Sequence, residues 1–389
     1  MITGSRPSFR GRSALLISPF LTDVASGGGI VSRMNLACLR SVVPQVTALA
    51  LSATVAGRDG STVAVGRPSN KLVTALCNLL MMAGRLTPIA LFRIARYLFA
   101  KRPDLVFLDS SSLGWVALLV RLLAPRAKVV VFFHNVEFDF QVERSRVEGR
   151  LYLLTAAAEF LNEWVSTRLA HSCLLLTRED ALRVTQLYRR EVKNLAPVCL
   201  SDNCTDNLPL NPPEDVVLFV GSGFYANREA VEFLLKQLAP LLRDTDGPRI
   251  RIAGSGFSVD EWPGDVPSNV EMLGRVPDLK ATYTQALAFV APVFSGAGMK
   301  VKVAEALMHG LPVVGTPLAL RGYIDRDLDT PHLMTATTAD DFARAIAVCR
   351  DAAKRLSLAA RRDFETRYSL STGERRMRSI LERVLENSD

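Results

Sequence analysis

The chain has 389 residues, of which 49% are hydrophobic and 22% charged, and its net charge is +8. This length suits two α/β domains and exceeds what one compact core usually holds. The six cysteines form no C-x-x-C pair and no metal-ligand spacing, so we expect reduced, mostly buried thiols in a cytoplasmic protein. No run of about 18 uncharged apolar residues occurs, which argues against a membrane-spanning helix.

The positive charge is concentrated in residues 1–100, where eleven basic side chains face two acidic ones, a net charge of +9. Such a surface attracts anionic lipid, nucleic acid or a phosphorylated substrate. A solvated, arginine-rich face explains the excess equally well. The aromatic interleaving of single-stranded nucleic-acid binders is missing, so no nucleic-acid partner is expected.

The first half of the chain alternates strands and helices. Strands are predicted at 13–19, 46–51, 104–109, 128–133 and 172–177, and helices at 30–40, 71–83, 88–100, 113–123, 148–170 and 178–190. This alternation at short spacing predicts a parallel, doubly wound sheet.

A glycine-rich turn at residues 26–30 follows the first predicted strand. Gly28 and Gly29 would let a ligand approach the backbone closely there, although a tight turn without a ligand is an equal alternative. The turn does not match the dinucleotide fingerprint, and the chain has no P-loop. Nicotinamide, flavin and ATP-hydrolysing functions therefore lose their best support.

His134 directly follows the predicted strand 128–133. Ligands of doubly wound sheets bind at the carboxyl ends of the strands, so we expect a functional role for His134, with a hydrogen-bonded rim residue as the alternative.

The predicted helices 71–83 and 88–100 carry arginine on one side and Leu, Ile, Phe and Met on the other. This pattern fits a helix that lies on a membrane surface. It also fits an ordinary helix packed on a sheet, which is the commoner case.

The second half restarts the same pattern after a Pro-, Asn- and Asp-rich linker at residues 201–214. Strands are predicted at 215–220, 249–253, 269–273, 288–293, 312–315 and 332–335, and helices at 227–242, 338–367 and 370–387. Gly221-Ser222-Gly223 forms a glycine turn after the first of these strands. Two Rossmann-like halves in tandem imply a cleft between them.

Residues 294–323 contain a small-residue loop, a helix that we expect to end at Gly310, and a buried strand. A loop-to-helix junction after a parallel strand directs free backbone N–H groups and a partial positive charge at one point. Lys300 and Lys302 add two formal charges. The segment is therefore predicted to hold a phosphate or diphosphate, with Glu305 as an acceptor for hydroxyls.

Three motifs together resemble the retaining GT-B glycosyltransferases of family 4: Gly274-Arg275-Val276-Pro277-Asp278, Gly296 to Glu305, and Gly310 to Pro317. The resemblance is strongest over residues 215–323, moderate around residues 134–137, and extends over nearly the whole chain in domain order.

The resemblance implies a GT-B fold, in which two α/β Rossmann-like domains face each other across a cleft. The N-terminal, acceptor-side domain would span residues 1–200 and the donor domain residues 215–370, with residues 371–389 as a helix that crosses back to the first domain. The implied reaction is transfer of a hexosyl sugar from a nucleotide-diphosphate sugar to a hydroxyl, with retention.

The same resemblance implies roles for individual residues. Glu305 would bind the donor ribose, and His134 would lie near the donor sugar and the reacting bond. The implied catalytic residues are His134, Lys300 and Arg275, and the implied donor-binding residues are Gly28, Gly29, Gly221, Ser222, Arg228, Gly298, Met299, Lys302, Glu305 and Thr316.

The chain departs from the family pattern at two places. Ala297 stands where members often have a second glutamate that contacts the donor sugar, so the sugar identity stays open. Ser222 and Asn227 occupy the offsets of an Arg and a Lys. The charge of the diphosphate must then be met by Arg228, Arg275, Lys300 or Lys302.

No metal ion and no cofactor are expected besides the nucleotide-sugar substrate. D-x-D spacing occurs at residues 244–246 and 325–327, where Asp favours surface turns. The expected acceptor is a lipid-linked saccharide or a polysaccharide or glycoconjugate precursor. Residues 71–102 could contact an anionic membrane, which would place the protein at the inner face of the membrane.

Two other functions remain open from the sequence. One is a sugar-nucleotide epimerase on the same fold. The other is a non-catalytic, nucleotide-sugar-binding scaffold subunit of a polysaccharide assembly complex.

Overall fold

The computed structural model describes residues 9–23, 26–52, 62–66, 76–77, 79–83, 86–204, 214–325 and 327–386. The chain forms two compact units. The first comprises Met1–Val198 with Leu370–Asp389, and the second comprises Cys199–Ser369. Each unit contains one parallel sheet with helical connections, which confirms the predicted pair of α/β, Rossmann-like domains.

The sheet of the first unit has seven parallel strands. These are β1 (Ser13–Ser18), β2 (Gln45–Ala50), β3 (Thr62–Ala64), β4 (Leu105–Leu108), β5 (Lys128–Phe133), β6 (Ser172–Leu175) and β7 (Asn194–Leu195). Their order is β3-β2-β1-β4-β5-β6-β7, so the strand order reverses between β1 and β4. Ligand sites of doubly wound sheets form at the carboxyl ends of the strands beside such a reversal.

The helices of the first unit connect these strands. They are α1 (Gly27–Val42), α2 (Pro88–Lys101), α3 (Gly114–Leu123), α4 (Glu137–Glu148), α5 (Tyr152–Leu169) and α6 (Arg178–Tyr188). The prediction of one helix over 148–170 was wrong at its start. Gly149 takes a φ of 117° and separates α4 from α5, so the two helices form a hairpin. Residues 71–75 and 78 of the helix predicted at 71–83 lie outside the described residues.

A buried carboxylate, that of Glu163 on α5, fixes the position of this hairpin. It accepts hydrogen bonds from the backbone amides of Glu137 at 3.0 Å and Phe138 at 3.1 Å, where α4 begins. Ser111 and Tyr188 donate to it at 2.8 and 2.7 Å. A negative group at a helix N-terminus satisfies free N–H groups and complements the helix dipole. Glu163 therefore ties α4, α6 and the loop after β4 together.

The last helix of the chain, Leu370–Glu386, packs against α1 in the first unit. Its apolar side buries Met377, Ile380 and Leu381. The C-terminal helix thus returns to the N-terminal half of the chain, as predicted.

The sheet of the second unit has six parallel strands. These are β8 (Val216–Val220), β9 (Arg249–Ala253), β10 (Val270–Gly274), β11 (Ala288–Ala291), β12 (Val313–Gly315) and β13 (Leu333–Thr335). Their order is β10-β9-β8-β11-β12-β13, with the reversal between β8 and β11.

The helices of the second unit follow in the order α7 (Tyr225–Phe233), a π turn (Leu234–Leu238), α8 (Ala239–Asp244), α9 (Lys280–Thr284), α10 (Val301–Met308), α11 (Ala339–Asp351) and α12 (Ala353–Asp363). The single helix predicted over 338–367 was wrong, because the backbone breaks at Ala352 and a π turn follows Asp363. The helix expected to end at Gly310 ends at Met308. Gly310, with a φ of 70°, leaves the helical conformation there.

All six cysteines are buried and free, as predicted from their spacing. Across the described ranges, no helix combines the length and the apolar character that a membrane crossing requires.

We expect the buried Glu159 to make the stability of the folded protein depend on pH. Burial raises the pKa of Glu159 to about 8 from an ordinary value of 4.5. Between these two values the folded state holds the proton more tightly than the unfolded state, so this group lowers stability as the pH rises. Glu159→Gln should therefore raise the melting temperature more at about pH 8 than at about pH 5, by several degrees in differential scanning calorimetry.

The matched control is Glu191→Gln, at a carboxylate whose side chain is 72% exposed. Its melting temperature should follow wild type at both pH values. An equal shift of Glu159→Gln at both pH values would show that Glu159 is not protonated in the folded protein.

Candidate functional site

The loops after β8, β9 and β10 run close together at the carboxyl edge of the second sheet. The amide of Gly221 donates to the Ala253 carbonyl at 3.0 Å, and the amide of Gly254 donates to the Gly274 carbonyl at 2.7 Å. A Cβ on Gly254 would lie 1.5 Å from the Gly221 carbonyl oxygen, and Gly254 has a φ of 136°. Only glycine fits at this position, and the three loops form one backbone-lined edge.

Three of the predicted donor-binding groups lie along this edge. Gly221 and Ser222 follow β8, and Arg228 lies on α7 with its Nε donating to the Gly223 carbonyl at 3.1 Å. Arg275 directly follows Gly274 and is exposed. Arg228 and Arg275 therefore lie beside the loops after β8 and β10 at this edge.

The loop after β11 approaches α10 through two glycines, Gly296 and Gly298, which have φ values of 102° and 69°. The Nζ of Lys300 donates to the Ala297 carbonyl at 2.8 Å and lies 3.4 Å from that of Gly298. The Tyr323 hydroxyl donates to the Lys300 carbonyl at 2.7 Å and so fixes the backbone at the end of this loop. Met299 is buried. The loop is thus held in shape directly before α10, where the Val303 amide donates to the Lys300 carbonyl at 2.9 Å.

Glu305 lies one turn inside α10, and its side chain is 15% exposed. Its Oε2 accepts from the Lys302 Nζ at 2.7 Å and from the Tyr283 hydroxyl at 3.1 Å. Burial, with the nearby Glu305 charge, raises the pKa of Tyr283 well above its ordinary value, so this phenol stays a donor. Both bonds orient one carboxylate oxygen, and Oε1 keeps its capacity to accept ligand hydroxyls.

Thr316 follows β12 and is buried. Its hydroxyl donates to the Val293 carbonyl and accepts from the amide of Ala319 at 3.1 Å. Thr316 therefore joins the end of β12 to the start of the loop that carries Lys300.

In the first unit, His134 follows β5 and its side chain is 9% exposed. Its Nε2 lies 3.1 Å from the Asp109 carbonyl oxygen and 3.4 Å from the Asp109 Oδ1, which both accept, so Nε2 carries a proton. The rings of Phe20 and Phe132 contact the imidazole edge-on at 4.9 and 5.0 Å. The ring is thus held on three sides.

Gly28 and Gly29 open α1, where the Ser26 hydroxyl caps the helix by accepting from the Gly29 amide at 3.0 Å. A Cβ on Gly29 would lie 1.6 Å from the Asp23 carbonyl oxygen, whereas one on Gly28 would meet the Phe20 ring at 3.5 Å. Close packing against Asp23 therefore explains why residue 29 is a glycine. It leaves the backbone of Gly28 as the part of the turn that a ligand could approach.

The structure brings the predicted residues of the second unit to one sheet edge and places His134, Gly28 and Gly29 on the first sheet. Their assignment to catalysis or donor binding stays a prediction. In the described part of the chain, no three His, Cys, Asp or Glu side chains are grouped to hold a metal ion.

Sequence reasoning missed the groups that orient these residues, namely Tyr283, Tyr323 and Asp109. Asp109 could have been identified from the sequence, because it ends the predicted strand 104–109 at the carboxyl edge of the sheet. Neither tyrosine belongs to one of the three motifs, although Tyr323 ends the segment 294–323, and only the folded structure shows which groups their hydroxyls contact.

Residues 214–350 match the family model described as Glycosyl transferases group 1. The match lies within the second unit. The match extends from the start of β8 to the end of α11 and includes every residue of the loop-and-helix site around Glu305. It supports an enzyme of the glycosyltransferase class. A comparison with curated proteins found no match.

Solved glycosyltransferase structures resemble the chain over nearly its full length. HepE from Anabaena, in complex with UDP-glucose, has 12% identity and a TM-score of 0.67, with 95% of this chain and 99% of that chain covered. Sucrose-phosphate synthase from Thermosynechococcus elongatus has 15% identity and a TM-score of 0.70, with 97% and 100% covered. The lipopolysaccharide outer core galactosyltransferase WaaB has 11% identity and a TM-score of 0.62, again with 97% and 100% covered. The likeness shows that the chain has the GT-B fold.

We expect Gly254→Ala to destabilise the second unit, because the new methyl group would collide with the Gly221 backbone at a φ that L residues rarely adopt. The loss should be roughly 2–4 kcal/mol in the free energy of unfolding, measured by urea denaturation. The control is Gly264→Ala, whose Cβ would meet Trp262 at an ordinary 3.5 Å. Equal stability of the two variants would contradict the close approach of these loops.

Proposed function

We propose that the protein transfers a hexosyl group from a nucleoside-diphosphate sugar to an acceptor hydroxyl, with retention at the anomeric carbon. The bond between that carbon and the diphosphate oxygen breaks, and a bond to the acceptor oxygen forms on the same face. The acceptor proton passes to the departing diphosphate. This assignment goes beyond the family match in naming retention, the family 4 mechanism and the sugar class.

The observation that carries the proposal is the arrangement around Glu305 and the start of α10. An acceptor oxygen on Glu305 suits ribose hydroxyls, and the helix start and lysines of α10 suit a diphosphate. UDP is the first nucleotide to test, because HepE was solved with UDP-glucose.

Lys300 contributes to the proposed diphosphate site mainly through geometry. Its ammonium holds the carbonyls of Ala297 and Gly298 away from the site, so the loop presents N–H groups instead of oxygens to an anion. Lys302 adds a second positive charge, and its side chain is 36% exposed. Preorganised donors of this kind stabilise the negative charge that a leaving diphosphate develops.

Ala297 supplies no carboxylate to the donor sugar. In its place, backbone groups of the Gly296–Gly298 loop would bind the sugar hydroxyls. We therefore propose that sugar selection depends on loop shape at this position.

His134 would act at the sugar end of the site. With Nε2 bonded to the Asp109 carbonyl, Nδ1 is the nitrogen that remains to accept from a hydroxyl of the donor sugar or acceptor. We propose that His134 positions this hydroxyl and does not form a covalent intermediate.

The proposed acceptor is a lipid-linked saccharide or a polysaccharide or glycoconjugate precursor at the cytoplasmic face of a membrane. The described part of residues 71–102 supports a peripheral contact, because Phe92 and Phe99 of α2 are 64% and 67% exposed. The basic residues of the same helix suit anionic lipid.

Two alternatives remain and have distinct outcomes. An epimerase on this fold would convert the nucleotide sugar without an acceptor. A scaffold subunit would bind the nucleotide sugar and release no nucleoside diphosphate with any acceptor.

We expect UDP to stabilise the wild-type protein by about 5 °C in a thermal-shift assay at about 100 times its Kd. Glu305→Ala should reduce this shift strongly, because the proposed ribose acceptor is lost. The matched control is Glu232→Ala, which removes a similar lysine-paired glutamate on an exposed face. A full shift in Glu305→Ala would remove the ribose assignment, and failure of UDP, ADP and GDP alike to shift wild type would contradict the proposed function.

We expect His134→Ala to lower kcat by about 100-fold while changing the Kd for the nucleoside diphosphate by less than about threefold. The reason is that His134 is proposed to act on the sugar and acceptor and not on the nucleotide. Steady-state kinetics with isothermal titration of the nucleotide would separate the two effects. A large loss of nucleotide affinity with normal kcat would contradict this placement.

A further inference from the structure

The α4–α5 hairpin extends beyond the carboxyl edge of the first sheet. Because the Glu163 carboxylate binds the first amides of α4, residue 163 lies level with the start of that helix, just after β5. The part of α5 that precedes residue 163, from Tyr152 to Asn162, extends about 16 Å further at about 1.5 Å per residue. The tip of the hairpin therefore projects from the edge that carries His134.

The tip is apolar and exposed. Leu151 is 90% exposed, and Val147, Leu153 and Leu154 are 58%, 49% and 39% exposed. A single exposed leucine needs no explanation, but a cluster of this kind at a projecting tip marks a docking surface.

The same apolar surface continues along neighbouring helices. At the start of α3, Trp115 is 37% exposed, and on α5 Trp164 is 43% exposed. Helix α3 packs on α5 so closely that a Cβ on Gly114 would lie 2.5 Å from the Asn162 carbonyl oxygen. The start of α3 and the middle of α5 thus lie beside each other at the base of the hairpin.

A short segment lies against this face. The Met81 carbonyl accepts from Trp115 Nε1 at 2.9 Å and from Asn162 Nδ2 at 2.8 Å. These bonds hold Leu79 and Leu80, which are 64% and 54% exposed, beside the helices. Four separate elements of the first unit therefore expose large apolar side chains here: the hairpin tip, α3, α5 and residues 79–80.

The charges around this face are positive. Residues 144–154 contain three arginines and one glutamate, and that glutamate, Glu148, is bonded to Arg144 at 2.8 Å. Arg146 and Arg150 are exposed at the tip, and Arg168 lies 5.9 Å from the Trp164 ring. A second copy of the chain would bring arginines against arginines in a symmetric pair, whereas an anionic lipid surface complements them.

Two of the three tryptophans of the chain, Trp115 and Trp164, lie on this face. Tryptophan prefers the boundary between the headgroups and the acyl chains, where its ring is apolar and its N–H is satisfied. The combination of leucines at a tip, arginines behind them and partly exposed tryptophans matches the chemistry of a bilayer surface.

We propose that this face, formed by residues 147–154, the start of α3 and the adjacent part of α5, docks on an anionic bilayer with the hairpin tip among the headgroups. The surface extends well beyond residues 71–102 and lies at the sheet edge that carries His134. The inference deepens the proposed function, since it names where an acceptor held in a membrane would meet the protein, and it rests on that function only for the acceptor.

The test is sedimentation of the full-length protein with vesicles of phosphatidylcholine alone or with about 30% phosphatidylglycerol. Wild type should bind the anionic vesicles, and the double variant Leu151→Glu/Leu154→Glu should bind them about tenfold more weakly or not at all. The matched control is Val259→Glu, at a 61% exposed valine of the second unit, which should bind like wild type. Arg146→Gln/Arg150→Gln should weaken binding and reduce its dependence on salt.

Three results would overturn the proposal: wild type that binds neither vesicle, a Leu151→Glu/Leu154→Glu variant that binds like wild type, or a concentration-dependent dimer in analytical ultracentrifugation that the same variant dissolves. A UDP thermal shift measured on each variant separates this outcome from the proposed function. If vesicle binding fails while the UDP shift persists, the docking face alone is contradicted. If the UDP shift fails while vesicle binding persists, the proposed function alone is contradicted.

Discussion

The four hydrogen bonds to the buried Glu163 carboxylate determine the geometry of the first unit. Taking a carboxylate out of water is costly, and burial raises the pKa of Glu163. The donors that offset this cost come from the loop after β4, the start of α4 and the side of α6. One group thereby fixes the elements on both sides of His134. Its loss would leave a buried set of unsatisfied N–H and O–H groups.

In the second unit, contacts of backbone groups hold the site in shape. Its site edge depends on the close approach of Gly221 and Gly254 and on the bonds that Lys300 and Tyr323 make to the loop before α10. These contacts leave N–H groups and one oxygen of Glu305 available for a ligand. The proposed nucleotide end of the site is thus preformed, whereas Ala297 leaves the proposed sugar end without a carboxylate.

Sequence patterns predicted the two parallel sheets because buried strands and amphipathic helices alternate at short spacing. They also indicated the segment around Glu305, whose glycines and lysines have a local physical meaning. They failed at the α4–α5 hairpin, because α4 is polar and acidic and its start depends on Glu163, a residue distant in the chain. They failed for Tyr283 in the same way, since its contact with Glu305 exists only after folding.

The return of the last helix to the first unit makes the order of synthesis matter. Met377, Ile380 and Leu381 cover α1, so the first unit lacks part of its core until these residues have left the ribosome. The second unit is continuous in the chain and can fold as soon as it is made. Neither a simple N-terminal fragment nor any deletion of the last helix would therefore yield an intact first unit, and the surface beneath that helix would expose aggregation-prone apolar side chains.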